Sequence, residues 1–139
     1  MSTRAAIASY VAALNAAGLV AILELHWGAP GTQKATAQTP MPDRDHSITF
    51  WSQVANAYKS NSSVIFELFN EPYPDSNQNT PAGWQCWRDG GTCPGVDYQA
   101  AGMQELVTAV RSTGATNIIL LGGLQFSNAL SQWLTYKPN

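Results

Sequence analysis

The chain has 139 residues, of which 45% are hydrophobic and 12% charged, and its formal net charge is -2. That length fits one domain with a modest core, and that apolar share excludes an intrinsically disordered chain. So small a charge gives no electrostatic reason to expect nucleic acid or an anionic membrane as partner.

Residues 3–17 place Ile7, Tyr10, Val11 and Leu14 at helical spacing, and Gly18 is a good helix stop. Arg4 ahead of an Ala-rich run superficially resembles a secretion signal. Ser9, Tyr10 and Asn15 interrupt that run, so a helix explains it better. No stretch is long and apolar enough to span a bilayer. Leu19 to Leu25 is a nearly continuous apolar run, which predicts a strand buried on both faces. A loop rich in Gly, Pro, Thr and Gln covers Gly28 to Asp45. Residues 46–60 put Ile48, Trp51, Ala55 and Tyr58 on one helical face, and Val64 to Phe69 form the second predicted strand.

Pro72 to Gly95 reads as a long loop, and loops of that length inside compact domains are usually functional. It holds both cysteines, Cys86 and Cys93, with no neighbouring His or further Cys to complete a zinc set. A local disulfide is preferred over free thiols, and it points to a secreted protein. Asp97 is the predicted N-cap of a helix bearing Met103, Leu106, Val107 and Val110, ended by Gly114. Ile118 to Leu121 form the third strand, and residues 128–134 begin another helix.

Strands separated by helices imply a parallel sheet with right-handed crossovers. The long loops follow the strands, so they gather at the C-terminal strand ends, where α/β proteins keep their chemistry. An open sheet is the alternative. The strand-end residues favour a single α/β domain over residues 1–139, a partial (β/α)8 barrel with three parallel strands.

The run Phe66-Glu67-Leu68-Phe69-Asn70-Glu71-Pro72 is the most informative in the chain. Alternation along an extended strand puts Glu67, Phe69 and Glu71 on one face, with Glu71 at the rim. Pro72 ends the strand because it has no N–H for the ladder. A carboxyl group placed so is a candidate general acid/base, and Asn70 beside it is a candidate ligand for a substrate hydroxyl. His26 and Trp27 close the first strand. A His there can orient a hydroxyl or tune a carboxylate, and Trp27 offers a flat face to a sugar. Tyr73, Trp84 and Trp87 follow Glu71 in the long loop, as sugar platforms or as packing beneath the loop. Gln125, Ser127 and Asn128 follow the third strand and carry a weaker polar signal.

Three segments together resemble the third, fourth and fifth strands of glycoside hydrolase family 5, whose best-known members are cellulases. They are Ile22-Leu23-Glu24-Leu25-His26-Trp27, Phe66 to Tyr73, and Ile118-Ile119-Leu120-Leu121-Gly122-Gly123; Leu130 to Pro138 also resembles the segment after that fifth strand. The resemblance covers the whole chain. It implies that Glu71 is the acid/base of a retaining β-glycosidase acting on β-1,4-glucan or cello-oligosaccharide. It further implies that Asn70 binds the sugar 2-hydroxyl next to the scissile bond and that His26 lies on the active-site floor. It implies no metal and no organic cofactor. The family pattern has Asp where this chain has Glu24.

Retaining hydrolysis needs two carboxyl groups about 5–5.5 Å apart. By the resemblance the nucleophile is a Glu on the seventh strand, beyond the three strands found here. The family's Arg on the second strand and its His and Tyr on the sixth are likewise absent. Glu67 shares a face with Glu71, but four extended residues at about 3.3 Å each separate them by roughly 13 Å. Glu24 sits below the rim. A three-stranded piece of a barrel, whose full form takes about 250 residues, leaves two sheet edges and an inner face open. The expectation is therefore a homo-oligomer that completes the barrel, or a fragment of a larger hydrolase. A chain that binds carbohydrate without hydrolysing it is the alternative function.

Overall fold

Ser2 opens the first helix by accepting a hydrogen bond at Oγ from the Ala5 N–H at 3.3 Å. The structure, a computed structural model, describes residues 2–139. The elements in order are α1 (Thr3–Ala16), β1 (Ala21–Glu24), α2 (Ser47–Tyr58), β2 (Val64–Glu67), α3 (Pro74–Asn77) and α4 (Pro81–Asp89). They continue as β3 (Gly90–Gly91), β4 (Ala100–Ala101), α5 (Met103–Arg111), β5 (Ile119–Leu120) and α6 (Trp133–Tyr136). Gly18, at φ 78°, stops α1 in the left-handed region that only glycine enters freely.

The main sheet has the order β1-β2-β5 and is parallel throughout, as the alternation of helix and strand requires. Ala21 pairs with Val64 and Leu23 with Phe66, and Phe66 in turn pairs with Ile119. These residues face the helices. Val64, Phe66 and Leu68 meet Trp51 and Ala55 of α2, Leu106 and Val110 of α5, and Trp84 and Trp87 of α4 in one buried core. The Trp51 ring lies 5.6 Å from that of Phe66, and its indole N–H donates to the Leu68 carbonyl at 2.9 Å. Asn117 ties the sheet's lower end. Its Nδ2 donates to Asn61 O at 2.8 Å and Val64 O at 2.9 Å from a buried position.

The opposite, inner face carries Ile22, Glu24, Ile65, Glu67, Ile118 and Leu120. Here the expectation of a doubly buried first strand fails. Leu19, Val20 and Ile22 are each 54% exposed, because β1 is an edge strand and nothing among the described residues covers the inner face. The apolar stripe of α1 is also largely wet. Val11 is buried, while Ile7 and Tyr10 are exposed.

Several boundaries differ from the sequence reading. The strand Val64 to Phe69 stops at Glu67, and Phe69 turns into the core instead of alternating outward. The segment Pro72 to Gly95 is largely ordered. Thr80 caps α4 through Oγ1, accepting from the Gly83 N–H at 3.0 Å, and Pro81 starts the helix where its missing N–H costs nothing. Cys86 and Cys93 form the disulfide that pins the end of α4 to the next turn. Gly90, at φ 68°, approaches the Ala100 carbonyl so closely that a Cβ would lie 2.4 Å from it, which allows β3 and β4 to pair. The N-cap of α5 is Gly102, not Asp97. Glu105 reaches back to the Gly102 N–H at 3.1 Å, so the capping carboxylate comes from inside the helix. Residues 128–134 are mostly irregular, and only Trp133–Tyr136 is helical there.

Candidate active site

The site grows from the C-terminal ends of the three strands. Past β2 the chain stays tethered on both sides. Leu68 N donates to Leu120 O at 3.2 Å, and Asn70 N donates to Leu25 O at 3.0 Å. Pro72, buried and without an N–H, cannot continue a ladder. Between these constraints Glu71 takes φ 51°, a left-handed conformation unusual for a residue with a side chain. Asn70 and Glu71 are half-buried at the strand mouth.

Four groups share one electrostatic field there. Glu24 and Glu67 are register partners on neighbouring strands. His26 Nδ1 lies 2.8 Å from Glu24 Oε1, with both side chains well exposed. Glu67 has its carboxyl pushed above the ordinary value of 4.5, first by partial burial, then by the charges of Glu24 and Glu71, with His26 pulling the other way. The charge of Glu71 thus reaches Glu67. The 13 Å separation assumed an extended backbone from residue 67 to 71, and the backbone is not extended there. Glu67 is a member of this cluster that sequence reasoning set aside.

Tyr73 leaves the mouth and folds back. Its N–H donates to Pro40 O at 2.9 Å and its hydroxyl to Gln38 O at 3.0 Å. Burial raises the Tyr73 hydroxyl above its ordinary value of 10.0. Its ring lies 4.9 Å from that of Phe126, which is 41% exposed. Phe126 sits in a left-handed turn, Gln125 to Ser127, docked by its N–H on Pro72 O at 3.3 Å. It is a neighbour of the candidate site that the sequence does not flag, because nothing local marks a Phe in a polar turn as adjacent to Pro72. Trp27 is 50% exposed at the end of β1, beside His26.

Other candidates lie elsewhere. Trp84 and Trp87 are fully buried, which removes them as sugar platforms. Trp84 Nε1 donates to Asn79 Oδ1 at 2.7 Å and Trp87 Nε1 to Gly122 O at 2.9 Å, so both are struts under the loops. Gln125 donates to Asn77 O at 3.1 Å, and Asn128 donates to Gln125 O and Phe126 O, so both hold loop backbone. The mouth itself is open, since three strands cannot enclose a pocket. More concave spaces flank it: an apolar groove of about 550 Å³ between α1 and α2, walled by Ile7, Leu23, Phe50 and Val54 and reaching Glu24, and a polar hollow of about 210 Å³ near Lys34 and Asp97. Among the described residues no three His, Cys, Asp or Glu side chains are grouped to hold a metal ion. No helix among them is long and apolar enough to cross a membrane.

The model of the cellulase family, glycosyl hydrolase family 5, matches residues 2–139. The chain belongs to glycosyl hydrolase family 5. A manganese dependent endoglucanase, Eg5A of Phanerodontia chrysosporium, is 31% identical over 119 residues, covering 85% of this chain and 26% of that protein. Endoglucanase EG-II of Hypocrea jecorina is 37% identical over 89 residues, covering 63% of this chain and 17% of that one. Among solved structures, XacCel5A in complex with cellopentaose aligns with a TM-score of 0.59 at 27% identity, over 95% of this chain and 36% of its own. The endo-beta-1,4-glucanase Xac0029 from Xanthomonas axonopodis pv. citri aligns with a TM-score of 0.57 at 28% identity, over 88% of this chain and 32% of its own. The chain thus spans about a quarter or less of these curated relatives and about a third of these structures. Its three parallel strands with their helices form a partial α/β barrel, as the strand-end residues suggested.

Proposed function

We propose that this chain is a retaining-type glycoside hydrolase of the endo-β-1,4-glucanase kind, with β-1,4-glucan or cello-oligosaccharide as substrate and residues 1–139 as one structural unit. The observation that carries the reading is the strand end Asn70-Glu71-Pro72, where Glu71 is held in a left-handed turn beside the Glu24, Glu67 and His26 cluster. In this reading Glu71 protonates the glycosidic oxygen as the bond to C1 breaks. It then takes a proton from the water that hydrolyses the glycosyl intermediate. Asn70 hydrogen-bonds the 2-hydroxyl of the sugar at the scissile bond. His26, tied at Nδ1 to Glu24, presents Nε2 to a second hydroxyl. Trp27 and Tyr73, the latter extended by Phe126, offer aromatic faces to the sugar rings. Neither metal nor organic cofactor takes part.

The second carboxylate comes from another chain or from an unusual residue of this one, and a second copy docked on the inner face would complete the barrel. The exposed Ile22, Ile118 and Leu120 beside Glu24 and Glu67 support that docking, since an apolar sheet face of this kind gains by being covered. The disulfide supports an oxidising, extracellular setting.

The test is turnover of a soluble β-glucan and an aryl β-cellobioside by the wild type and by Glu71→Gln, with light scattering on the same samples. Hydrolysis abolished in the variant, with folding retained, supports the reading. Unchanged turnover in Glu71→Gln overturns it. Binding of cello-oligosaccharide with no turnover in the wild type replaces it with a carbohydrate-binding role. A clean monomer that still turns over removes the second copy from the proposal.

A further inference from the structure

We propose that Gln38 is the positioning residue for Glu71. The proposal deepens the reading above and rests on it for its catalytic consequence, while its structural half stands alone. Gln38 lies in the long loop between β1 and α2, more than thirty residues from the strand end it touches. Its side-chain amide donates from Nε2 to the carbonyl oxygens of Asn70, at 3.1 Å, and Glu71, at 3.0 Å. An amide NH₂ carries two hydrogens, so one side chain serves both acceptors. Its own main-chain carbonyl accepts the Tyr73 hydroxyl at 3.0 Å, and Pro40 two residues on accepts the Tyr73 N–H. One short stretch of loop therefore fastens the run from Asn70 to Tyr73 at four points.

That clamp explains the backbone of Glu71. A non-glycine residue at φ 51° persists only where its surroundings over-determine it. Pro72 follows and has no N–H to offer, so no turn hydrogen bond from its nitrogen can close the bend. Gln38 supplies the missing closure from outside the segment. With the carbonyls before and after the Glu71 Cα both fixed, the Cα–Cβ direction is fixed too, and with it the aim of the carboxyl group. The anchoring loop is itself held. Thr39 Oγ1 donates to Met41 O at 3.1 Å, Tyr98 donates to the same carbonyl, and Met41 is fully buried. Gln38 acts on the reaction through the main chain of Glu71 and not through the substrate.

The experiment compares the full chain with Gln38→Met, which keeps the size and loses the donor, and Gln38→Lys, which restores an N–H donor at similar reach. Two readouts are taken: the Glu71 Cα and Cβ chemical shifts, which report φ, and kcat and KM on a soluble β-glucan. Gln38→Met is expected to move the Glu71 shifts away from left-handed values. Its kcat is expected to fall by about tenfold or more, within the ~100-fold that an ångström of misplacement costs, with KM within about twofold. Gln38→Lys is expected to recover most of both. Unchanged Glu71 shifts in a folded Gln38→Met overturn the proposal. So does a Gln38→Lys variant as impaired as Gln38→Met at equal thermal midpoint. If the wild type hydrolyses nothing, the functional reading falls, and the chemical shifts still decide whether Gln38 holds Glu71.

Discussion

Glu24 and Glu67 are register partners across two parallel strands, so two carboxyl groups stand side by side on one exposed sheet face. Neighbouring strands are about 4.8 Å apart, which makes this an unfavourable pairing unless one proton is kept or a cation is near. His26, hydrogen-bonded to Glu24, is the nearby group that relieves it.

That relationship sets a pH dependence. Glu67 titrates above its ordinary value of 4.5 in the folded chain, chiefly through burial and then through Glu24. The folded state therefore holds a proton that the unfolded state has already released as pH rises past about 4.5. Stability falls across the window from there up to the folded pKa, and the loss is complete above it. Glu67→Gln is expected to melt higher than the wild type at pH 7, with the difference fading below pH ~4; calorimetry from pH 3 to 8 measures this. Carbon NMR of the Glu67 carboxyl should show its titration moving up in His26→Ala and down in Glu24→Gln. No movement in either variant contradicts the shared field.

The Trp51 indole is fully buried and caps the Leu68 carbonyl just past the end of β2. Trp51→Phe keeps most of the apolar contact but strands that carbonyl. A loss of about 1–3 kcal/mol is expected in urea unfolding, the range for an orphaned buried polar group. A smaller loss would mean that water or a shifted neighbour replaces the bond.

The disulfide closes a small ring, since Cys86 and Cys93 are only seven positions apart in the chain. Loop-closure entropy for a ring of that size is worth about 2.5 kcal/mol. The double change Cys86→Ala with Cys93→Ala is expected to lose roughly that much stability. It should also loosen α4, whose Trp87 holds the Gly122 carbonyl after β5. Faster hydrogen exchange at the Trp87 indole is the local readout, and an unchanged rate would detach the ring from the strut.

Phe126 stands half out of the protein against Tyr73, on a turn of three consecutive left-handed residues. If the pair carries a sugar ring, Phe126→Ala should weaken cello-oligosaccharide binding by roughly two- to tenfold, from the ~0.5–1.5 kcal/mol of aromatic contact. Phe126→Tyr should retain it. Titration calorimetry checks both, and equal affinity in Phe126→Ala removes the platform.

The elements that formed where expected are those whose signal is local. Trp51 and Ala55 recur at helical spacing and are buried together, Gly18 stops its helix, and Cys86 and Cys93 are close enough in sequence that their loop alone brings them together. The helix started by Thr80-Pro81 is not among them, because the glycine and polar residues around it read as loop. The Asn70-Glu71-Pro72 motif and its family likeness were in the sequence as well.

Contacts across long separations were not readable there. Alternation assumes an extended chain, and nothing in residues 64–71 says that it ends at Glu67. That is decided by Asn70 reaching Leu25, by Gln38 reaching Asn70 and Glu71, and by Phe126 docking on Pro72. Which strand faces stay wet was likewise decided by the sheet. An apolar run is the same run whether or not another layer covers it, and Ile22 is exposed because β1 lies at an edge with its inner face bare. The sequence by itself determined the order of the three parallel strands and of the helices between them, and placed Glu71 just past the second strand, because periodicity and motif are properties of neighbouring residues. Only the tertiary structure decided how the Glu71 backbone is held and which groups surround it, because both depend on residues brought together from different strands and loops.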